Sequence, residues 1–579
     1  MYGWTGKILN VDLTRGKVWR SEAPEELLRA YLGGRGLGVR LMRDRYRLDP
    51  FDADMPLIFA VGPLCGTAAP ATARLAVTAR SPLTGTILSS SMGGRFPWRL
   101  KAAGIDVLHI SGESRNPVIL RIRGEEAVLL PAGDLWGMTV SETARRLASQ
   151  GSVAAIGPAG ENGVLYASIM TGEGNAAGRG GLGAVMGKKK LKAVVADGGS
   201  VAAVADQDGF DRACRDIMRL LHASPVIFGE FGIARYGTAA FVDLMRERRM
   251  TPAWNFRETF FAGAATYSGP AIMSYSRTAD DGCHGCPIGC RKSTPAGVLL
   301  PGYETLSHFG ALNGIADLSS IIGAGSMCND LGLDTISAAA TIAAWGEWRG
   351  CFAETDEMPA LLADIALRRG EGELLGLGSR RMMEELGEPD LSMSVKSMEL
   401  PAYDPRGAYG TALGYCTGNR GGCHLGAFAV SHEILRKPVP TDRFSLSGKA
   451  RILKIAEDAN AAADSLVACR FTYLGASQEE YAGLLSAVTG IPCSAGDLNR
   501  IGERIFLTER FYNCANGFTS ADDRLPGRFH HEPGSGGPEF DMPPIDLLRF
   551  MEELERYYRI RGLAPDGTFM DAGFLERQP

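Results

Sequence analysis

The chain has 579 residues, 45% of them hydrophobic and 22% charged, and a formal net charge of −5. That is the usage of an ordinary globular protein, with room for about three or four domains at roughly 100–200 residues each. The near cancellation of charge gives no electrostatic footprint of a nucleic-acid binder, and no run of like charge suggests an interaction tail. The opening MYGWTGKILNVDLTRG lacks the basic start and continuous apolar core of a secretion signal. The most apolar helical stretch, around Ile336–Trp345, falls far short of the about 20 residues that span a bilayer. A cytoplasmic location without a membrane span is therefore expected, and in that reducing compartment the twelve cysteines read as metal-binding or catalytic groups, not as disulfides.

Residues 1–203 read as β-rich. Lys7–Leu13 alternates apolar and polar residues, Thr14-Arg15-Gly16 turns and Lys17–Arg20 returns, the pattern of a hairpin. Further β-type runs stand at Leu57–Val61, Leu75–Ala79, Val107–Ser111, Val118–Ile122, Val153–Ile156 and Lys192–Ala196. Helices are expected at Glu25–Leu32, stopped by Gly33-Gly34, and at Ser141–Gln150, with Ser141 as N-cap. After Gly199 helical spacing takes over at Asp206–His222, Leu306–Ala316, Thr335–Arg349, Met358–Arg369 and Arg380–Leu386. It continues at Ser447–Ala468, Gln478–Val488, Ala495–Asn513 and Ile545–Arg561, and the Gly/Pro stretch His531–Pro544 reads as a surface connection. No internal repeat is visible. The expected class is α+β: a β-rich N-terminal domain at 1–203, then mainly α-helical domains at 204–397 and 398–579.

The sharpest local signal is Cys283-His-Gly-Cys286-Pro-Ile-Gly-Cys290. Thiolates two and then three residues apart on a Gly/Pro loop can converge on one metal centre, because the loop turns back without side-chain clashes. Its glycine amides can also donate hydrogen bonds to sulfur. Radical enzymes built on S-adenosylmethionine use the reverse order, three then two. A four-cysteine zinc site would usually offer a second close cysteine pair, and none is present. Iron–sulfur and zinc centres both take four thiolates, so spacing leaves the metal and the fourth ligand open. Seven of the other nine cysteines stand singly, and Cys416 and Cys423 are only loosely paired.

Gly178-Arg-Gly180-Gly-Leu-Gly183 satisfies a GxGxxG pattern, but only Ala184–Lys190 separates it from the apolar run Leu191–Ala196, too short for a dinucleotide crossover helix. A Walker loop fails as well, since no Ser or Thr follows Lys188. Freed glycine amides beside Arg179 can still cradle a phosphate. Ser89-Ser-Ser-Met-Gly93-Gly94-Arg95 and Gly33-Gly-Arg35-Gly share that character, each with a tight turn as the plainer reading. Glu304 opens a predicted helix, where a carboxylate complements the dipole, and His424 lies in the glycine-rich Asn419-Arg-Gly-Gly-Cys-His-Leu-Gly. Singly, each is more often structural than catalytic.

Together these segments resemble the aldehyde:ferredoxin oxidoreductase family, enzymes with a tungsten, sometimes molybdenum, bis-pterin centre beside a 4Fe–4S cluster. The resemblance runs nearly end to end. It takes in the Gly6–Gly16 hairpin, Gly33-Gly-Arg-Gly-Leu37, Gly62-Pro-Leu, Ser81-Pro-Leu-Thr-Gly85 and Ala177-Gly-Arg-Gly-Gly-Leu-Gly-Ala-Val-Met-Gly187. The cysteine loop, Leu331-Gly-Leu-Asp-Thr335, Gly517-Phe-Thr, Asp522-Asp, Leu525-Pro and Tyr557-Tyr-x-x-Arg-Gly562 complete it.

The resemblance implies the following roles. Asp464-Ser-Leu-Val-Ala-Cys469 stands where the family has Asp-x-x-Gly-Leu-Cys, with Val467 and Ala468 replacing Gly and Leu. Cys469 then becomes the fourth cluster ligand and Asp464 a pterin contact. Asn329 and Asp334 bound the sister motif Asn329-Asp-Leu-Gly-Leu-Asp334, Asn329 replacing the usual acid. The N-terminal β domain becomes the base for the pterins. Arg74 matches the arginine between pterin and cluster, and Ser91, Gly93, Asn175, Ala176 and Arg179 fall on phosphate-contacting loops. The carbonyls of Ser91 and Ala176 correspond to ligands of a Mg²⁺ bridging the two pterin phosphates, in keeping with that ion's oxygen ligands.

Glu304 matches the active-site glutamate, a general base, and His424 the histidine that hydrogen-bonds the substrate carbonyl. The implied reaction takes an aldehyde and water to a carboxylic acid, with electrons leaving to ferredoxin or a small iron–sulfur subunit. Two alternatives stand beside it: the same scaffold reducing a carboxylic acid or an aromatic thioester, and a zinc-stabilised binding protein without catalysis. Some members join two subunits through an iron held by a Glu-x-x-His pair. Ile321–Cys328 carries neither ligand, so a homodimer here is expected to lack an intersubunit iron.

Overall fold

Two six-stranded sheets occupy the first third of the chain. The computed structural model describes residues 1–275, 282–534, 537 and 540–579. The first sheet has the order β2-β1-β6-β3-β4-β5, from Lys7–Asp12 (β1), Lys17–Glu22 (β2), Leu57–Ala60 (β3), Leu75–Arg80 (β4), Ile87–Met92 (β5) and Val107–Ser111 (β6). Only β1 and β6 pair in parallel, Ile8 facing Val107; the other neighbours are antiparallel.

The second sheet runs β11-β10-β9-β12-β7-β8, from Val118–Arg123 (β7), Glu126–Pro131 (β8), Ser152–Ala155 (β9), Ile169–Thr171 (β10), Ala176–Ala177 (β11) and Leu191–Asp197 (β12). One apolar core joins both sheets, with Leu9, Phe59, Leu75 and Leu108 of the first meeting Leu120, Ile122 and Val194 of the second. The seven-residue helix Leu182–Lys188 follows the GxGxxG run and leads straight into β12, which lies antiparallel to β9. No βαβ crossover forms there, as its length required.

Beyond residue 206 the chain is mainly helical, which makes the whole an α+β fold. Three helices pack round one another late in the chain: Lys449–Leu466, Ala495–Ala515 and Leu547–Arg561. Buried Arg561 stitches the last to the first, donating to Asp458 Oδ1 at 2.5 Å and Glu457 Oε2 at 2.7 Å. No single helix among the described residues is long and apolar enough to cross a membrane; one bent pair, Gln207–His222 with Pro225–Glu247, passes by length and composition only.

Several local expectations need correction. The helix near residue 141 is Val140–Leu147, and its N-cap is Thr139, not Ser141: Thr139 and Glu142 form a reciprocal capping box. Leu306–Ala316 is a shorter helix starting earlier, Tyr303–Phe309 (α2 below), followed by a 3-10 turn. Gly33-Gly-Arg35-Gly is not a turn but the opening of helix α1, Gly34–Leu41. Its glycines let the backbone lie against Asp464 and Ser465 of the Lys449–Leu466 helix, where a Cβ on Gly34 would meet the Asp464 carbonyl. The stretch 531–544 lies partly outside the described residues.

Candidate active site and cofactor cavity

The sister motifs sit at two helix ends. Helix α3, Leu318–Leu331, ends at Gly332 and leads to Asp334, the N-cap of α4, Thr335–Trp348. Helix α5, Lys449–Leu466, ends at Val467 and leads to Cys469.

Cys469 is brought to the cysteine loop. Its amide donates to Ala71 O at 3.1 Å, three residues before Arg74. Burial first, and then the sulfurs of Cys469, Cys283 and Cys286, push the Cys290 thiol up to about 12. Cys286 rises to about 11 by burial and by Cys469. The four half-buried cysteines therefore share one neighbourhood. Among the described residues no three His, Cys, Asp or Glu side chains close on a single ion. A cubane cluster places each thiolate on a different iron, and so asks for a wider spread than one zinc does.

Arg74 stands beside this group. It donates through Nε to Ser91 Oγ at 3.1 Å and through Nη2 to Ser91 O at 3.4 Å. Burial works against its charge, yet the facing sulfurs of Cys469, Cys283 and Cys290 and the Asp464 carboxylate hold its pKa above the ordinary value. Gly93 is a cradle in the strict sense: a Cβ there would lie 2.5 Å from Cys283 Sγ and 3.1 Å from Arg74 Nη1. Cys283 Sγ also lies 3.9 Å from Asn175 Oδ1.

On the other side of Arg74 opens a cavity lined by Ser91, Ala176, Arg179 and Asp464, and by three further arginines, Arg35, Arg420 and Arg470. Arg179 donates to Asp334 Oδ2 at 3.2 Å and to Glu399 O at 2.6 Å, while its Nη1 is buried without a partner. Arg470 holds Asp464 at 2.7 Å and likewise leaves Nη1 buried and unpaired. Burial opposes the Asp464 charge, but Arg470 and Arg35 keep its pKa below the usual carboxylate value. Five arginines meet only two carboxylates in the lining, Asp464 and Glu509, and the unsatisfied buried N–H groups are costly unless an anion occupies the space. A phosphate-bearing, pterin-type group meets that demand, and the residues present fit it.

Of the residues singled out in the sequence, Arg74, Ser91, Ala176, Arg179 and Asp464 line the cavity. Gly93 and Asn175 stand at its cysteine edge, and Asp334 acts through Arg179. Asn329 sits half-buried on the last turn of α3 and does not line it. Arg420 and Arg470 were not picked out, although Arg420 lies within the glycine-rich His424 segment and Arg470 follows Cys469 directly.

Glu304 occupies the first turn of α2. Its Oε2 accepts from Ala402 N at 2.9 Å, whereas Oε1 has no hydrogen-bond partner and lies 3.7 Å from His424 Nε2. Burial raises the Glu304 pKa to about 7, with the Ala402 amide and Arg179 working against the rise. Burial, and then Arg179 and Arg420, hold His424 well below its ordinary value, so its ring is neutral. Two buried polar residues absent from the sequence reading complete this end. His308, fully buried, has Nδ1 2.8 Å from Glu304 O and Nε2 3.2 Å from Leu400 O. Glu399 accepts from Ser337 Oγ at 2.7 Å and Ser379 N at 2.9 Å beside Arg179. One short segment, 399–402, thus touches both Arg179 and Glu304.

Two family models match the chain. Residues 8–198 match the aldehyde ferredoxin oxidoreductase N-terminal domain, and residues 212–574 match domains 2 and 3 of the same family. The chain belongs to the aldehyde ferredoxin oxidoreductase family. Tungsten-containing aldehyde ferredoxin oxidoreductases of Pyrococcus furiosus and Thermococcus kodakarensis are each 39% identical, over 98% of this chain and 97% of theirs. A more distant relative, the WOR-like subunit of an aliphatic sulfonate oxidoreductase of Pyrococcus furiosus, is 28% identical over 98% of this chain and 96% of its own. Among solved structures, the BamBC active-site complex of benzoyl coenzyme A reductase superposes with a TM-score of 0.83 at 25% identity, covering 98% of this chain and 96% of that one. Where the family motif has glycine, Val467 adopts the left-handed conformation, φ 57° and ψ 28°, that glycine enters freely.

Proposed function

We propose that this chain oxidises an aldehyde to a carboxylic acid at a tungsten bis-pterin centre, passing electrons through a 4Fe–4S cluster to ferredoxin. The balance is RCHO + H₂O → RCOOH + 2H⁺ + 2e⁻. The observation that carries the reading is Glu304: a buried carboxyl with one oxygen fixed by Ala402 and the other bare beside a neutral His424. Bound in the arginine-lined cavity, the tungsten–pterin group supplies two-electron redox chemistry. Glu304 Oε1 takes the proton of the attacking water, and a pKa of about 7 suits a base working near neutrality. His424, with Nε2 protonated, donates to the aldehyde oxygen and steadies the charge that develops there.

Arg179 and Arg470, each with an unpaired buried Nη1, would hold the pterin phosphates, and the carbonyls of Ser91 and Ala176 would contribute ligands to a Mg²⁺. Cys283, Cys286, Cys290 and Cys469 hold the cluster. The division into 1–203, 204–397 and 398–579 gives the pterin base, the loop cysteines and the fourth cysteine one domain each.

Glu304→Gln is expected to abolish turnover while iron and tungsten contents stay near wild type; normal turnover would refute the base. A base acts ionised, so the wild-type rate should rise with pH through about 7. A second reading has one observation behind it, the superposition on the benzoyl coenzyme A reductase complex. Viologen-linked oxidation of an aldehyde panel, set against reduction of an aromatic thioester, separates the two. Zinc without iron or tungsten in the purified protein would remove both.

A further inference from the structure

The face of the protein beyond the cysteine loop differs in charge from the molecule as a whole. His284 follows the cluster cysteine Cys283 directly, and its exposed ring lies on Trp98, with centroids 4.5 Å apart. These two rings form one wall of a groove. Gly66 to Ala69, Thr72 and Ala73 form its floor, and Val201, 72% exposed, its far side. The floor is made of small side chains, so a second surface can come close. Ala71, which lies between Ala69 and Thr72 in the chain, accepts from the Cys469 amide through its carbonyl at 3.1 Å. The groove is therefore one residue along the chain from Cys283, and one backbone hydrogen bond joins the segment of its floor to Cys469.

Its rim is cationic. Arg99 stacks on Trp98 at 5.2 Å, and Arg95 is exposed and does not line the cofactor cavity. Arg95 opens the helix Phe96–Ala102 that carries Trp98 and Arg99, and the His284 amide donates to the carbonyl of its neighbour Gly94 at 3.3 Å. Arg123 and Arg99 share Asp197, at 4.0 and 3.5 Å. Two arginines thus share one aspartate and Arg95 adds a third positive charge, while Glu173 and Arg291, joined through the Glu173 carbonyl, add one charge of each sign. The chain as a whole is acidic, with a net charge of −5. A local surplus of positive charge on an acidic protein steers an acidic partner to that spot, and repels it elsewhere.

We propose that the groove beside His284, rimmed by Arg95, Arg99 and Arg123, is the docking face for an acidic iron–sulfur electron carrier. The inference rests on the reading of the four cysteines as a cluster, and goes beyond it by assigning the surface through which that cluster discharges. Each aldehyde oxidised releases two electrons. The reduced cluster loses one electron to the docked carrier, whose own cluster gains it; the carrier leaves, and a second oxidised carrier takes the other. Transient redox encounters bury little surface, under about 1,200 Å², and a shallow groove with a charged rim suits that turnover.

The test uses the holoenzyme, an acidic single-cluster ferredoxin and benzyl viologen as alternative acceptors. Arg95→Glu and Arg99→Glu are each expected to lower kcat/KM for the ferredoxin about tenfold or more at low salt. The viologen rate, which needs the whole site but not the docking face, should stay unchanged. The wild-type ferredoxin rate should fall as salt rises, since screening shortens the reach of the arginines to about 8 Å at physiological ionic strength, and the gap between wild type and variants should narrow. An unchanged ferredoxin rate in both variants, with viologen activity intact, overturns the docking face alone. A parallel loss with both acceptors also overturns it, by showing damage to the site behind. Absence of iron in the wild type would instead overturn the cluster reading.

Discussion

Two helix ends in this protein are built alike and do different work. Helix α3 ends with Gly332 left-handed at φ 76°, and α5 ends with Val467 left-handed at φ 57°. At each end the next amide reaches back five residues, Leu333 to Cys328 O at 2.8 Å and Ala468 to Ala463 O at 3.0 Å, the hydrogen bond of a Schellman cap. The third residue past each helix is a working one: Asp334, which grips Arg179, and Cys469, which joins the cysteine loop. Two residues before each end the match fails. Asp464 lines the arginine cavity and Asn329 does not. The backbone device is the shared part, and what each end holds depends on which neighbours the rest of the fold brings to it.

The largest effect expected at these ends is chemical. Cys469→Ala should drop iron from about four per chain, the content of one 4Fe–4S cluster, to a small fraction; unchanged iron would hand the fourth ligand to another cysteine. At the other end, Asp334→Asn removes a charge-assisted hydrogen bond from Arg179, worth about 1.5–3 kcal/mol. Tungsten and pterin should fall roughly tenfold with iron unaltered, and equal loss of both would show that the two ends are not separate.

Next come the caps themselves. In Gly332→Ala a Cβ meets Gly157 N at 2.8 Å, and the left-handed conformation adds about 1–2 kcal/mol. A loss of about 2–4 kcal/mol in urea unfolding is expected, and a smaller one than at an ordinary helix glycine would mean the turn relaxes. The smallest effect tests the strain at 467. Val467 recovers some of its cost by burial, being only 2% exposed, so Val467→Gly is not expected to be a simple gain. Set against Val467→Ala, however, the glycine variant should be more stable by about 1 kcal/mol. Equal stabilities would show that no strain is held there.

Much of this was legible in the chain. The 7–22 hairpin follows from alternation, and the 283–290 loop from cysteine spacing. Cys469 was legible only through the family motif, because nothing local marks one cysteine among twelve. Helix α1 was hidden because its glycines at 34, 36 and 38 weaken helical preference, and only the close approach of α5 at Gly34 and Gly36 and of Thr78 on β4 at Gly38 makes them useful. Strand β5, Ile87-Leu-Ser-Ser-Ser-Met92, hides behind three serines that face its partner strand and the cavity. His308 and Glu399 gave no signal, since a buried polar residue reads like any other until its partners are known.

The arginine cavity draws its walls from two distant stretches of chain, one before residue 180 and one after residue 417. During synthesis the first stretch emerges long before the second. Ser91, Ala176 and Arg179 are therefore made well before Asp464 and Arg470, which complete the lining only when the last third of the chain is made. The order of synthesis, as well as geometry, separates the two halves of the site: neither Asp464 nor Arg470 yet exists when the Arg179 side of the cavity has been made.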